Sequence, residues 1–222
     1  MTRLMALAAL LMAGSALAKP VVLANGLIVD GSGAVPYAGW LAMEGDRITA
    51  MGKGAPPAAM VKGAAVTDVK GQAISPGFVN MLSWATESLL IDGRAQSDIR
   101  QGVTLEVMGE GNSMGPLNPE MKRLMAQRQD DIKYPISWTT LGEYLTVLEK
   151  KGIAPNVASF VGHTTVRVHE LGEGDVDPTP AQLGRMQGLV RAAMHEGALG
   201  LGTSMIYAPA AYAETPELIA LA

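Results

Sequence analysis

The amino-acid sequence predicts a mixed α/β chain, in which a small antiparallel β module leads into a parallel sheet with helical crossovers. Three observations carry that prediction. Short β-rich runs broken by Gly, Asp and Asn turns occupy residues 21–69. From Gly71 onward, strand-like and helix-like stretches alternate. Several of the helical stretches begin at Pro or stop at Gly, as helix ends do.

In the first region, Val21-Val22-Leu23 runs into Asn25-Gly26, a pair that tolerates the positive φ angles of a tight hairpin turn. Leu27-Ile28-Val29 then meets a second turn at Asp30-Gly31-Ser32-Gly33. Residues 40–43 and 47–51 read as two strands joined through Glu44-Gly45-Asp46, and residues 65–69 as another. In the second region, residues 73–80 read as one strand entering a polar turn, followed by a helix that closes at Gly102. Val103-Thr104-Leu105-Glu106-Val107-Met108 is β-rich and ends at a Gly-rich turn. Helices are expected over 117–129, over 141–151 before Gly152, and from Pro180 within 179–197. Strands are expected over 156–161 and 199–203. Functional residues in such alternating folds sit at the C-terminal ends of the strands. Residues 216–222 start a helix and end without a Gly, Asn or basic cap, which reads as a truncated sequence.

With 222 residues, 48% hydrophobic and 17% charged, the chain groups with globular rather than disordered proteins. A formal charge of −4 lacks the basic excess that would favour nucleic acid or an anionic membrane surface. Arg3, an apolar run to Leu17 and the small-residue end Ala16-Leu17-Ala18 have the layout of a signal peptide over residues 1–18. The run is shorter than the roughly 20 residues of a membrane span. The mature chain is therefore expected to begin at Lys19, to lie in a periplasm or outside the cell, and to carry no stable membrane span.

The order of short motifs resembles one family. Asn25-Gly26, Asp30-Gly31-Ser32-Gly33, Gly45-Asp46-Arg47-Ile48 and Ser75-Pro76-Gly77-Phe78-Val79-Asn80 resemble the opening of the metal-dependent amidohydrolases. Gln101-Gly102-Val103-Thr104, Asn156-Val157-Ala158 with Val161-Gly162-His163, and Glu196-Gly197-Ala198-Leu199-Gly200-Leu201 with Ile206-Tyr207 narrow the resemblance to the N-acyl-D-amino-acid deacylases, or D-aminoacylases. The resemblance implies strands of a small β-sandwich over residues 19–70 and the first part of a (β/α)8 TIM-type barrel over residues 71–222. It also implies a hydrolase of non-peptide C–N amide bonds, acting on a small N-acyl amino acid or related amide. The catalytic residues are then expected beyond residue 222, and this chain by itself is expected to be inactive.

That family carries a His-x-His metal pair after Pro-Gly-Phe, yet here Leu82 and Trp84 stand at those positions and Asn80 replaces an Asp. All three histidines, His163, His169 and His195, come later. The family's next ligand is a Cys in a Gly-Asn-Cys-Gly turn. With one residue deleted, Glu110 of Gly109-Glu110-Gly111 falls at that position, and a strand-end carboxylate is a competent ligand for one zinc ion. A solvated turn Glu is the plainer reading. Substrate contacts are expected from His163, from Arg167 through a bidentate carboxylate contact, and from Ser204 and Tyr207 after the 199–203 strand.

Two rivals stay open. Gly111-Asn112-Ser113-Met114-Gly115 satisfies the G-x-S-x-G pattern of a serine hydrolase using Ser113, although Pro116 and Pro119 interrupt the helix such an elbow needs. The loss of the His pair would equally suit a non-catalytic relative with a binding or structural role.

Overall fold

The computed structural model describes residues 19–222, so the signal peptide expected over residues 1–18 lies outside the described residues. The chain divides into two units, one ending at Pro76 and the other spanning Gly77–Ala222.

The first unit contains strands β1 (Val21–Ile28), β2 (Tyr37–Glu44) and β3 (Arg47–Lys53), the short helix α1 (Ala58–Val61), and strands β4 (Ala65–Asp68) and β5 (Ala73–Ile74). Its sheet runs in the order β3-β2-β1-β4, with β5 also on β1. The β2–β3 hairpin turns at Gly45, whose φ of 59° suits glycine. Two expectations are corrected. The module is not purely antiparallel, because β4 and β5 both run parallel to β1. Asn25-Gly26 is not a hairpin turn but a bulge inside β1, where the register on β2 slips between Leu23 and Gly26. Asn25 takes the positive φ of 58°, and the apolar residues on either side keep pairing with the same neighbour. Val22, Trp40 and Ala42 form the buried core of this unit.

The second unit holds β6 (Phe78–Asn80), α2 (Ser88–Ile91), α3 (Gln96–Ile99), β7 (Val103–Met108), α4 (Pro119–Arg128) and α5 (Leu141–Lys151). It continues through β8 (Asn156–Ser159), β9 (Val161–Gly162), α6 (His163–Leu171), α7 (Pro180–His195), β10 (Leu201–Gly202) and α8 (Thr215–Leu221), with a 3-10 turn at Ala210–Tyr212 before α8. Residues 73–80 are split between the units: β5 pairs with β1, and β6 pairs with β7.

β6, β7 and β8 form a parallel sheet in chain order, and β9 pairs in parallel with β10. Backbone bonds link the two pieces. Phe160 N–H donates to the Met108 carbonyl at 2.9 Å, and Leu199 N–H donates to that of Ser159 at 2.9 Å. Strand tracks therefore follow one another from 78 to 202, each reached through helix, as parallel pairing requires.

The helices form where sequence chemistry caps them. Thr140 and Glu143 make a reciprocal capping box on α5, which stops at Gly152 in the left-handed conformation. Thr179 and Gln182 do the same for α7, with Pro180 in its first turn. Asn118 caps α4 by accepting from Met121 N–H at 2.8 Å. Buried Leu141, Tyr144 and Leu148 on α5 and Met186, Val190 and Ala193 on α7 share one core with Met108, Trp138 and Val161. Trp138 Nε1 donates to the Met114 carbonyl at 2.5 Å, so the indole is buried without leaving its N–H unpaired. Helix α6 was not expected from sequence. Its Thr164-Thr165-Val166 start carries β-branched residues, and tertiary contacts outweigh that local preference.

Leu148 is 1% exposed in this core. Leu148→Ala should lower the unfolding free energy by about 3 kcal/mol in a urea titration; a loss below about 1 kcal/mol would mean the α5 face is not packed as described.

Candidate functional site

The functional geometry gathers where β6, β7 and β9 end. Leaving β7, the chain makes a tight turn through Gly109, Glu110 and Gly111, with φ of 92° at Gly109 and 71° at Gly111. A side chain at Gly109 would meet the Phe160 carbonyl at 2.2 Å, one at Gly162 the Gly111 carbonyl at 2.4 Å, and one at Gly202 the Gly109 carbonyl at 2.5 Å. Backbone therefore lies directly on backbone at the ends of three neighbouring strand tracks.

The turn is fixed to the start of α6, whose first N–H groups need partners. Thr164 N–H donates to the Gly111 carbonyl at 2.9 Å, and Gly162 N–H donates to Ser113 Oγ at 2.9 Å. Ser113 N–H donates to Thr165 Oγ1 at 2.8 Å, while Ser113 Oγ donates to the Gly115 carbonyl at 2.5 Å. The hydroxyl of Ser113 is thus occupied by backbone on both its donor and acceptor sides. A nucleophile elbow also needs a helix directly behind the Ser, and α4 starts only at Pro119. The serine hydrolase rival is set aside on this geometry.

Beside the turn lies a cavity of about 460 Å³. Its lining includes Leu82, Ser83, Trp84 and Glu87 after β6, Glu110, Asn112 and Ser113 after β7, and Met121, Leu124, Met125 and Arg128 of α4. Leu82 and Trp84, at the positions of the resembled family's His pair, are 49% and 63% exposed. Asn80 shapes the loop that carries them, since its Oδ1 accepts from Leu82 N–H at 3.3 Å. Its Nδ2 donates to Glu106 Oε2 at 3.0 Å. Glu106 is 0% exposed, and its other carboxylate oxygen has no partner among the described residues.

Of the residues singled out from sequence, Glu110 lines the cavity and is half-buried. Ser204 lies behind the turn, where a Cβ on Gly111 would meet its Cβ at 2.9 Å, and Tyr207 is 61% exposed; neither lines the cavity. His163 and Arg167, expected as substrate contacts, are both 0% exposed and also absent from its lining. His163 Nε2 lies 2.8 Å from Glu217 Oε1 and its Nδ1 lies 3.1 Å from Thr203 Oγ1. Arg167 pairs with the other Glu217 oxygen through Nη1, and Nη2 donates to the Val176 carbonyl at 2.9 Å. The bidentate potential of Arg167 is thus turned inward, where one carboxylate on α8 serves two cationic or donor groups on α6.

Sequence reasoning also missed Glu106, Glu217 and the α4 wall. An acid amid Val, Leu and Met in β7 was the available signal for Glu106. Glu217 carried no pattern, because its partners lie about fifty positions away. Tyr134 donates to Oε1 of the lining residue Glu87 at 2.6 Å, and burial, then this bond, push the phenol above its ordinary range.

No family model matches the chain. It is 32% identical over 201 residues to an N-acyl-D-aspartate deacylase from Alcaligenes xylosoxydans xylosoxydans, covering 89% of this chain and 39% of the relative. Among solved structures, a D-aminoacylase described as defining a novel subset of amidohydrolases superposes with a TM-score of 0.76 at 30% identity, over 90% of this chain and 42% of that one. An N-acyl-D-glutamate deacylase from Bordetella bronchiseptica, complexed with zinc and a phosphonate mimic of the tetrahedral intermediate, gives 0.76 at 26% identity, over 92% and 42%. The chain spans about 40% of the length of the curated relatives it matches.

Two outcomes follow from this geometry. Gly162→Ala places a methyl group against backbone and should sharply reduce folded yield, whereas the same change at open, surface Gly184 should not; equal yields would contradict the close approach. The raised Tyr134 phenol favours the protonated form in the folded state, so its contribution is complete below pH about 10 and lost as pH rises above it. Tyr134→Phe should therefore flatten the fall in stability on the alkaline side, measured by urea midpoints between pH 8 and about 11; an unchanged slope would contradict the contact.

Proposed function

We propose, from the premise that this chain belongs to the amidohydrolases in their N-acyl-D-amino-acid deacylase branch, that it forms the amino-terminal part of a hydrolase of amide C–N bonds. In this reading β6, β7, β8 and β10 are the opening strands of a (β/α)8 barrel, preceded by part of a β-sandwich. The substrate is a small N-acyl amino acid or related amide. The observation that carries the reading is the cavity at the strand ends, where such folds place their chemistry. The turn backbone fixes one edge of the cavity, and the apolar walls from Trp84 to α4 exclude water around a bound amide.

Zinc is named for the glutamate deacylase relative. Leu82 and Trp84 offer no donor, and among the described residues no group of three or more His, Cys, Asp or Glu is placed to hold a metal ion. The described residues therefore do not complete a metal site, and no step is routed through one. Glu110 is the side chain we assign to the shell of a single zinc ion in the whole protein, with the remaining donors supplied from outside these residues. Export to a periplasm or the medium remains part of the proposal, on the sequence of residues 1–18 alone.

The apolar replacement of both His positions favours a second reading, a non-catalytic relative that binds without hydrolysing. Elemental analysis and amine release separate the two. The full-length gene product should carry about one zinc per chain and release amine from N-acyl-D-amino acids or their amides, and Glu110→Ala should lose both. Absence of metal and of turnover in the unaltered protein would withdraw the hydrolase in favour of the binding relative.

A further inference from the structure

Helix α4 carries an apolar stripe that the described residues cover only in part. Met121, Leu124, Met125 and Arg128 stand at i, i+3, i+4 and i+7, so they share one face of the helix, and all four line the strand-end cavity. None of the residues of α4 is fully buried. Leu82 and Trp84, 49% and 63% exposed, add apolar surface to the same cavity. The charged groups of the lining are already engaged. Arg128 Nη1 lies 2.9 Å from Glu173 Oε1, Glu87 accepts from the Tyr134 hydroxyl at 2.6 Å, and Glu110 is the residue assigned above to zinc. Gln129 is held through both its amide atoms by the backbone of Tyr134. What the cavity offers a ligand is therefore mainly apolar area. It measures about 460 Å³, whereas a cavity of about 150 Å³ already holds a benzene ring. An acetyl group or a single apolar side chain would leave most of it empty. Along α4 the stripe from Met121 to Arg128 runs roughly 10 Å, at about 1.5 Å per residue.

We propose that this cavity is an acyl-chain site, and that the substrate is an N-acyl amino acid whose acyl tail is an alkyl chain long enough to follow the α4 stripe. The tail lies along Met121, Leu124 and Met125 and against Trp84, and the unbranched Met side chains adjust to its shape. Each methylene taken out of water adds roughly fourfold to affinity when fully buried, so chain length becomes the property the cavity reads. The identity of the ligand as an N-acyl amino acid rests on the deacylase reading, and the chain-length preference rests on the cavity itself.

The test titrates three ligands calorimetrically into the full-length gene product: N-octylsulfonyl-D-alanine, N-methylsulfonyl-D-alanine, and N-methylsulfonyl-D-2-aminodecanoate. All three keep the free carboxylate, and their sulfonamide bond is not open to amide hydrolysis. The third carries the same octyl chain on the amino-acid carbon instead of the acyl side. The octylsulfonyl ligand should bind at least about thirtyfold more tightly than the methylsulfonyl one, and moving the chain to the amino-acid carbon should recover no more than about threefold. Leu124→Asn should weaken the octylsulfonyl ligand about tenfold, and Leu124→Met should restore it. Trp84→Ala, at an exposed position, should narrow the chain-length ratio at least threefold whether or not the Leu124 variants fold. No gain from the acyl-side chain, an equal gain from the chain on the amino-acid carbon, or a ratio unmoved by Trp84→Ala overturns the proposal. Amine release from N-octanoyl-D-alanine and N-acetyl-D-alanine on the same samples keeps the two readings apart. Chain-length preference in binding without release sinks the hydrolase and leaves the inference, while release without chain-length preference does the reverse.

Discussion

Everything at the strand ends depends on backbone meeting backbone without side chains between. Gly109, Gly162 and Gly202 each sit where a Cβ would lie within 2.5 Å of a carbonyl group on another segment. Because no side chain intervenes, the turn after β7 drops onto the start of α6, and the carbonyl of Gly111 takes up the Thr164 N–H. That contact fixes where Glu110 and Ser113 stand and sets one edge of the cavity. A larger residue at any of the three glycines would push the turn outward and open the site before altering any polar group.

A second constraint lies deeper. Glu217 reaches from α8 to both His163 and Arg167, all within the protein interior. A buried pair of this kind is costly to desolvate and adds little net stability, but removing one partner strands the others, so it specifies one docking of α8. The two residues most suggestive of substrate recognition in the sequence are thus consumed by architecture. The groups left to meet a ligand are mostly apolar, with acids at the margin.

Much of the fold was legible because it rests on local chemistry. The α5 helix follows from Thr140, Glu143 and Gly152, α7 from Thr179, Gln182 and Pro180, and the β2–β3 hairpin from Gly45. What failed was non-local. Asn25-Gly26 has hairpin chemistry but became a bulge because β2 pairs with both flanks of it. His163 lies past a strand, as expected, yet a helix starts there and turns the ring towards Glu217, a partner fifty-four positions away. Of the cavity lining, short motifs single out Leu82, Trp84, Glu110 and Ser113, whereas the α4 wall is assembled by packing that no short motif records.

The central claim is that the cavity between Trp84, the Glu110 turn and α4 is where a ligand sits on this amidohydrolase scaffold. A crystal structure of the full-length gene product soaked with a small N-acyl amino acid or related amide tests it most directly. The account predicts ligand density in this cavity, against Trp84 and Met121. Density at another site, with this cavity filled by protein from elsewhere in the chain, would contradict it.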